Sequence, residues 1–142
     1  MTDWNVTFDE LMNRPYPSPD TSIGNCASIV FIFEYYDTRL LFCGEAPADC
    51  IMGELGHFEL VKLSHHGSIR NISSTLLDRL DTDAFLICAD GTSHPSKQTV
   101  AKMIQHYGTV TIYSNYTWWM NGFFKLEDRK YINGGQLIFK NV

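Results

Sequence analysis

Three short polar segments of the chain each follow a run of apolar residues and contain the side chains best suited to metal binding or catalysis. The segments are Gly44-Glu45, the SHHGS of residues 64–68 and the DGTSHP of residues 90–95. In open α/β sheets, ligands bind beyond the carboxyl ends of the strands. If the preceding strands are parallel, the following side chains converge on one edge of the sheet: Glu45, His65, His66, Asp90 and His94. Carboxylate and imidazole groups form the ligand set of zinc, manganese or iron.

Each of these side chains also has a purely structural interpretation. The His65-His66 pair is equally consistent with a loop that only caps the following helix, or with the remnant of a lost metal site. Glu45 could be a solvated loop acid or could interact with a helix N-terminus. His94-Pro95 could be a turn that leads into a helix, and Asp90-Gly91 a simple turn. Residue types and spacing leave these alternatives open.

The hydrophobic pattern predicts the elements that must position these loops. Strands are predicted at 28–36, 39–43, 58–64, 84–89 and 109–114, and helices at 47–55, 73–80 and 96–106. Strands that alternate with helices predict an α/β fold with a mixed sheet. The Pro- and Ser-rich residues 1–25 are predicted to be an irregular arm. Residues 117–142 are predicted to be an aromatic-rich β tail with a hairpin turn at 133–135.

Length and charge limit the classes of function. The chain has 142 residues and a net charge of -5, which predicts a single domain and argues against binding nucleic acid by bulk charge. Its longest apolar run is far shorter than a membrane span, and its first residues lack the pattern of a signal peptide. We therefore expect a soluble, cytoplasmic protein with no membrane partner. The four cysteines show no CxxC spacing and are predicted to be small buried hydrophobes, with a disulfide or a zinc–thiolate site as the alternative.

The chain resembles the C-terminal half of a metallo-β-lactamase-fold hydrolase, in four segments that occur in the same order: NCASIVFIFEYYDTRLLFCGEA, LVKLSHHGSIRNISSTLLDRL, AFLICADGTSHPSKQTVAKMI and YSNY. It is similar to the branch that includes the metallohydrolase domain of DNA-uptake competence proteins. The resemblance covers residues 20–116, and its most specific part is HHGS after an apolar strand. It implies half of an αββα sandwich, with a mixed sheet and helices on one face, formed mainly by residues 26–116.

The resemblance also implies a reaction and a set of roles. The family reaction is hydrolysis of a phosphodiester, ester or lactam by water that divalent metal ions activate, and a phosphodiester is the substrate we expect. Glu45 would replace the aspartate that bridges two metal ions, zinc or manganese, and His65 would be a ligand of the second ion. His66 would shape the pocket and His94 would lie at its rim, where either could act as a catalytic acid toward the leaving group.

Two departures from the family pattern bear on this expectation. The HxHxDH motif, which belongs to the N-terminal half of the family and supplies most of its metal ligands, does not occur in the chain. Catalytic zinc normally takes three protein ligands and a water, so the remaining residues are too few for two ions. The second departure is Glu45 itself, which is longer by one methylene than the aspartate of the family. Catalysis by the isolated chain is therefore not expected.

Half of a two-sheet sandwich must leave one face of its sheet apolar and bare. Such a face exceeds what a monomer normally exposes, so we expect it to be covered. The candidates are a partner chain that carries the missing N-terminal half, a homodimer, or residues 1–25 and 115–142 of the chain itself.

Three functions follow from this expectation. The chain is the C-terminal part of a metal-dependent hydrolase that needs a partner, a non-catalytic dimeric binding or assembly module with a vestigial metal site, or a homodimer that builds a metal site from two copies of Glu45, His65 and His94.

Overall fold

A six-stranded mixed sheet forms the centre of the computed structural model, which describes residues 3–142. The strand order is β1-β2-β4-β6-β7-β8, and β3 and β5 form a separate two-stranded sheet. The strands are β1 Phe31–Tyr35, β2 Thr38–Phe42, β3 Gly56–His57, β4 Leu60–Lys62, β5 Leu80–Asp81, β6 Ala84–Ile87, β7 Val110–Ser114 and β8 Leu137–Asn141. The helices are α1 Phe8–Asn13, α2 Ile23–Cys26, α3 Ser74–Arg79, α4 Lys97–Tyr107 and α5 Arg129–Asn133.

The direction of the strands matches the α/β pattern predicted from the sequence. β1 and β2 form an antiparallel hairpin, with Tyr35 paired to Thr38 around a turn at 36–37. From β2 onward, each neighbouring pair in the large sheet is parallel. The general prediction of an α/β fold with a mixed sheet is therefore confirmed, and the carboxyl ends of β2, β4 and β6 lie side by side on one edge.

One face of the large sheet is packed against helices. Side chains alternate between buried and partly exposed along β7, as expected for a strand that is covered on one side. The covered face includes Leu41, Val61, Phe85, Ile87, Val110, Ile112 and Leu137, all of which belong to the core. Helix α4 packs on this side, and α1 packs against α4. Gly108, with a φ of 79°, ends α4, close to the end of the helix predicted over 96–106.

The opposite face of the sheet is largely apolar and is partly exposed to solvent. Besides Lys62, Thr111 and Lys140, the alternate residues that form it include eight apolar or aromatic side chains: Phe31, Phe33, Leu40, Phe42, Leu60, Leu86, Tyr113 and Ile138. Phe31 and Phe33 are each 49% exposed, and the central residues of the face are only partly buried. We refer to these eight residues as the bare face. Its existence agrees with the expectation of an uncovered sheet face.

The N-terminal segment is only partly the irregular arm that was predicted for residues 1–25: residues 14–22 form no helix or strand, whereas Phe8–Asn13 forms α1 and α2 begins at Ile23. Met1 and Thr2 lie outside the described residues. Helix α1 begins at a capping box in which Thr7 and Glu10 satisfy each other's backbone amides. Phe8 and Leu11 are fully buried against the rest of the protein. Tertiary packing of these two side chains stabilises a helix too short to form alone.

The C-terminal segment is also wrongly predicted as a β tail with a hairpin turn. Residues 129–133 form α5, which ends where Gly134 donates to the carbonyl of Lys130. The chain then enters β8, which pairs parallel to β7 instead of returning antiparallel. The aromatic side chains of the C-terminal segment lie on the covered side of the sheet, where Trp118 and Phe123 are buried. The tail therefore completes the core and does not cover the bare face.

The predicted helix over 47–55 is reduced to a single 3₁₀ turn at Ala48–Cys50. Gly53 has a φ of 86°, which interrupts a helix. The Arg79 guanidinium donates hydrogen bonds to the carbonyls of Ile51 and Gly53, which are therefore satisfied without a helix. No helix among residues 3–142 is long and apolar enough to cross a membrane.

Two of the four cysteines are bonded, which corrects the expectation that all are free buried hydrophobes. Cys26 and Cys50 form a disulfide that joins α2 to the 3₁₀ turn after Glu45. Cys43 is free and buried, and burial raises the pKa of its thiol to about 12. Cys88 is free and half-buried. Because structural disulfides are typical of oxidising compartments, the cysteines no longer support a cytoplasmic location, which stays a prediction.

Candidate functional site

The three polar loops of the sequence meet beyond the carboxyl ends of β2, β4 and β6. Glu45 follows β2, His65 and His66 follow β4, and His94 lies in the loop between β6 and α4. The backbone amide of His65 donates to the carbonyl of Gly44 at 3.0 Å, which joins the first two loops directly. Parallel strand pairing is therefore what brings these distant residues together.

The loop that carries the two histidines has an unusual backbone. His65 and His66 have φ values of 45° and 54°, in the left-handed region that residues other than glycine rarely occupy. Gly67 follows with a φ of 81°, and a Cβ at this position would lie 3.0 Å from Pro95 Cβ. Three contacts hold the loop: the hydroxyl of Ser64 donates to the carbonyl of Ala46, His66 Nδ1 lies 2.5 Å from the carbonyl of Cys88, and the hydroxyl of Thr99 donates to the carbonyl of Gly67. Strain of this kind persists only where the surroundings over-determine it and is concentrated at functional sites.

Hydrogen bonds to its backbone amide and carbonyl position Glu45. Its amide donates to Ser28 Oγ at 3.2 Å, and its carbonyl accepts from Asn71 Nδ2 at 3.1 Å. Gly44 before it has a φ of 56°, and a Cβ there would lie 3.0 Å from the carbonyl oxygen of Ile29. The chain therefore needs glycine at position 44 to place the glutamate.

The carboxylate of Glu45 lies between two imidazoles. Its Oε1 is 3.5 Å from His66 Nε2, and its Oε2 is 3.6 Å from His65 Nε2. Both distances are too long for a hydrogen bond. Ligands of one tetrahedral ion with bonds of about 2.1 Å lie about 3.4 Å apart, close to these separations. The extra methylene of glutamate therefore still lets the carboxylate reach both rings.

His94 completes a cluster of three imidazoles. Its ring centroid lies 5.1 Å from that of His65 and 6.3 Å from that of His66. Burial, together with the neighbouring His65 and His66, lowers the pKa of His94. His94 therefore favours its neutral form at pH 7, which can accept a proton or bind a metal ion. The Nδ1 atoms of His65 and His94 are buried and make no hydrogen bond within residues 3–142.

Asp90, the remaining candidate from the sequence, forms a turn. Its Oδ1 accepts from the backbone amide of Thr92 at 2.8 Å, and this bond lowers the pKa of its carboxyl. Asp90 lines a cavity of about 430 Å³ that also borders His66 and His94. It therefore lies beside the cluster formed by Glu45 and the three histidines, which we call the histidine cluster.

Two residues at the site were missed by the sequence analysis. Asp20 Oδ2 lies 3.6 Å from His65 Nδ1, on the side of the ring away from Glu45. Asn71, which is fully buried, donates to both Asp20 and the carbonyl of Glu45. Asp20 falls in the segment predicted to be irregular, and a lone aspartate in a Pro- and Ser-rich stretch gives no signal. Asn71 lies within the second of the four segments that resemble the family, but its residue type gave no indication of a role.

The donor set of the histidine cluster fits a divalent ion in kind but not in number. Carboxylate oxygen and neutral imidazole nitrogen suit zinc or manganese, and two such pairs have the spacing of co-ligands. Among the described residues, however, no group of three or more His, Cys, Asp or Glu side chains is arranged to hold an ion. The histidine cluster therefore has the donor types of a metal site but, among the described residues, too few ligands arranged around one point.

Comparisons with protein-family models, curated proteins and solved structures find no match to this chain. The resemblance to the metallo-β-lactamase fold therefore still depends on the sequence segments that suggested it.

Proposed function

We propose that the chain is one half of a metal-dependent hydrolase of metallo-β-lactamase type, which acts on a phosphodiester once a partner supplies the remaining ligands. The observation that carries the proposal is the placement of the Glu45 carboxylate between His65 and His66 at 3.5–3.6 Å. A carboxylate flanked by imidazoles in this way is stabilised by a cation shared between them. An ion held there would polarise the substrate and lower the pKa of water.

The residues of the chain divide between holding the ion and handling protons. Glu45 and His65 are the proposed ligands, and we add His66, expected from the sequence to be a pocket residue, because its Nε2 is as close to Glu45 as that of His65. His94 stays available for proton transfer, since its ring is partly buried at the border of the 430 Å³ cavity. The cavity supplies hydroxyl, amide and aromatic groups that can orient a substrate: Thr92, Ser93, Asn115 and Tyr116.

We propose that the partner binds the bare face. It lies on the same sheet whose carboxyl edge carries the histidine cluster, so a second α/β layer packed there would border the cluster. Aromatic and aliphatic side chains such as Phe33 and Leu86 dominate the face, which suits an obligate interface. We propose a partner chain that carries the missing histidine-rich loop; a second copy of this chain is the alternative.

Metal titration tests the site. We expect Zn²⁺ or Mn²⁺ to bind the purified chain in calorimetry, and Glu45→Gln, which removes the charge but keeps the shape, to weaken binding at least tenfold. His106→Ala is the matched control, because His106 lies on α4 beside Asp78 and outside the cluster. Equal affinities of the wild type and Glu45→Gln, or the absence of binding by the wild type, would refute the proposal.

A hydrolysis assay tests the need for a partner. With bis(p-nitrophenyl) phosphate and either metal, we expect no turnover by the chain alone, because too few ligands are present. Turnover is expected when a chain with the histidine-rich motif is added. Full activity of the isolated chain would show that the site is complete and that the proposed division into halves is wrong.

A non-catalytic assembly module is the second candidate. It is favoured by one observation: among the described residues, no three potential ligand side chains converge on one point. On this alternative, His65→Ala changes local stability only, and the chain forms a stable dimer that binds no metal.

A further inference from the structure

The carboxylate of Asp20 is fixed behind the ring of His65. Its Oδ1 accepts from the backbone amide of Ser22 at 2.9 Å, and its Oδ2 accepts from Asn25 Nδ2 at 2.7 Å and Asn71 Nδ2 at 3.2 Å. These three hydrogen bonds fix the direction in which the carboxylate faces the ring. An aspartate is ordinarily ionised at neutral pH, so the ring faces a negative charge.

Hydrogen bonds with Arg70 and a disulfide bond hold the segment that carries Asp20. The amide of Asp20 donates to the carbonyl of Arg70, whose guanidinium donates in turn to the carbonyls of Ser18 and Pro19. Farther along, the disulfide joins Cys26 to Cys50, five residues beyond Glu45. Asp20 and Glu45 thus approach His65 from anchored backbone on opposite sides of the ring.

Asp20 and Glu45 face opposite nitrogens of the His65 ring. Asp20 Oδ2 faces Nδ1 at 3.6 Å, and Nδ1 is buried without a hydrogen-bond partner in residues 3–142. A lone pair on Nδ1 would be repelled by the carboxylate, whereas an N–H there would be attracted. Glu45 Oε2 faces Nε2 at the same distance of 3.6 Å, but its side chain is 39% exposed, against 10% for Asp20. Water screens the charge of Glu45 more strongly, so the proton is favoured on Nδ1 and the lone pair on Nε2.

We propose that Asp20 is a positioning residue: it holds His65 in the tautomer with a proton on Nδ1, so that Nε2 is free to bind a divalent ion beside Glu45. Carboxylates behind metal-binding histidines orient the ring and raise its basicity in this way. The metal step rests on the proposed function, whereas control of the tautomer by Asp20 does not.

Nitrogen NMR of the metal-free protein tests the tautomer. With ¹⁵N-labelled histidine at a pH above the titration of the rings, we expect the wild type to show His65 protonated on Nδ1 and Asp20→Asn to shift the ring toward protonation on Nε2. Asp78→Asn is the matched control, since Asp78 is an exposed acid that faces His106 and lies outside the histidine cluster. A wild-type ring protonated on Nε2, or no change in Asp20→Asn, would overturn the proposal, and the wild-type spectrum decides even if the variant is unstable.

Titration of the same proteins with Zn²⁺ or Mn²⁺ tests the consequence. Asp20→Asn is expected to weaken binding roughly 10- to 100-fold relative to the wild type, with Asp78→Asn unchanged. Equal affinities would overturn the positioning role. If the wild type binds neither metal while His65 is protonated on Nδ1, the proposed metal site fails and the control of the tautomer by Asp20 stands.

Discussion

Lys97 and Asp128 form an ion pair that is fully buried, and they show what individual residues contribute to this fold. Their side chains are 0% and 1% exposed, with Lys97 Nζ 2.5 Å from Asp128 Oδ2. The other oxygen of Asp128 accepts from the backbone amide of Phe8 at 2.7 Å. The ammonium of Lys97 also lies over the rings of Phe8 and Phe123. One carboxylate therefore joins the N-terminal helix, α4 and the C-terminal segment.

Removal of the charge on Asp128 should be costly. We expect Asp128→Asn to lower the free energy of unfolding in urea by about 3–5 kcal/mol, because Lys97 is left as an unpaired buried charge. The neighbouring exposed acid provides the control, and Glu127→Gln should change stability by less than about 0.5 kcal/mol. The double variant Lys97→Met/Asp128→Asn should recover part of the loss; no recovery would show that backbone contacts rather than charge explain the effect.

At the scale of elements, close packing around one glycine holds the loop between β6 and α4 against the aromatic core. Gly91 has a φ of 87°, and a Cβ there would lie 2.6 Å from Trp118 Cβ. Trp4, which packs against Trp118, donates its indole N–H to the carbonyl of Pro95 at 3.0 Å. The N-terminal arm and the aromatic tail thus jointly position the loop that carries His94.

A pair of glycine substitutions separates this packing from backbone strain. Gly91→Ala and Gly122→Ala both force alanine into the left-handed region, but nothing lies within 4 Å of the Cβ at position 122. Both variants are expected to lose about 1 kcal/mol from strain, and Gly91→Ala a further 1–3 kcal/mol from overpacking. The measurement is the midpoint of unfolding in urea. Similar losses at both positions would show that the close approach at Gly91 relaxes freely.

For the whole molecule, the notable feature is a sheet covered on one face only. Neighbouring residues of the edge strand β1 point to opposite faces: Phe33 belongs to the bare face, and Ile32 is on the side of the helices. They are 49% and 39% exposed, respectively. An apolar face of this kind favours association, whether with a second copy or with a partner chain.

This alternation provides a matched test of association. Phe33→Lys is expected to weaken self-association, or binding of an added partner chain, roughly tenfold or more, because a charge would be buried at an aromatic contact. Ile32→Lys places the same charge on the same strand but toward the other side, and should leave association unchanged. Light scattering over a range of concentrations measures both. A wild type that stays monomeric and an unaffected Phe33→Lys complex would exclude the bare face as an interface.

The sequence by itself determined the central α/β pattern and the loops that carry Glu45, His65, His66 and His94. These features depend on the local pattern of apolar and polar residues and on glycines that end strands, which short stretches of sequence contain. Parallel strands then place their carboxyl ends on one edge of the sheet. It also indicated that one sheet face would be bare, because the family resemblance covered only one layer of a sandwich.

Only the tertiary structure decided the rest. The short helices α1 and α5, the parallel pairing of β8 and the Cys26–Cys50 disulfide depend on contacts between residues far apart in the chain. The approach of Asp20 to His65 is of the same kind, since it needs Arg70 and Asn71 to fix the arm. Such contacts leave no periodic signal, because a helix of six residues or a single aspartate is stabilised by its distant partners rather than by its neighbours in sequence.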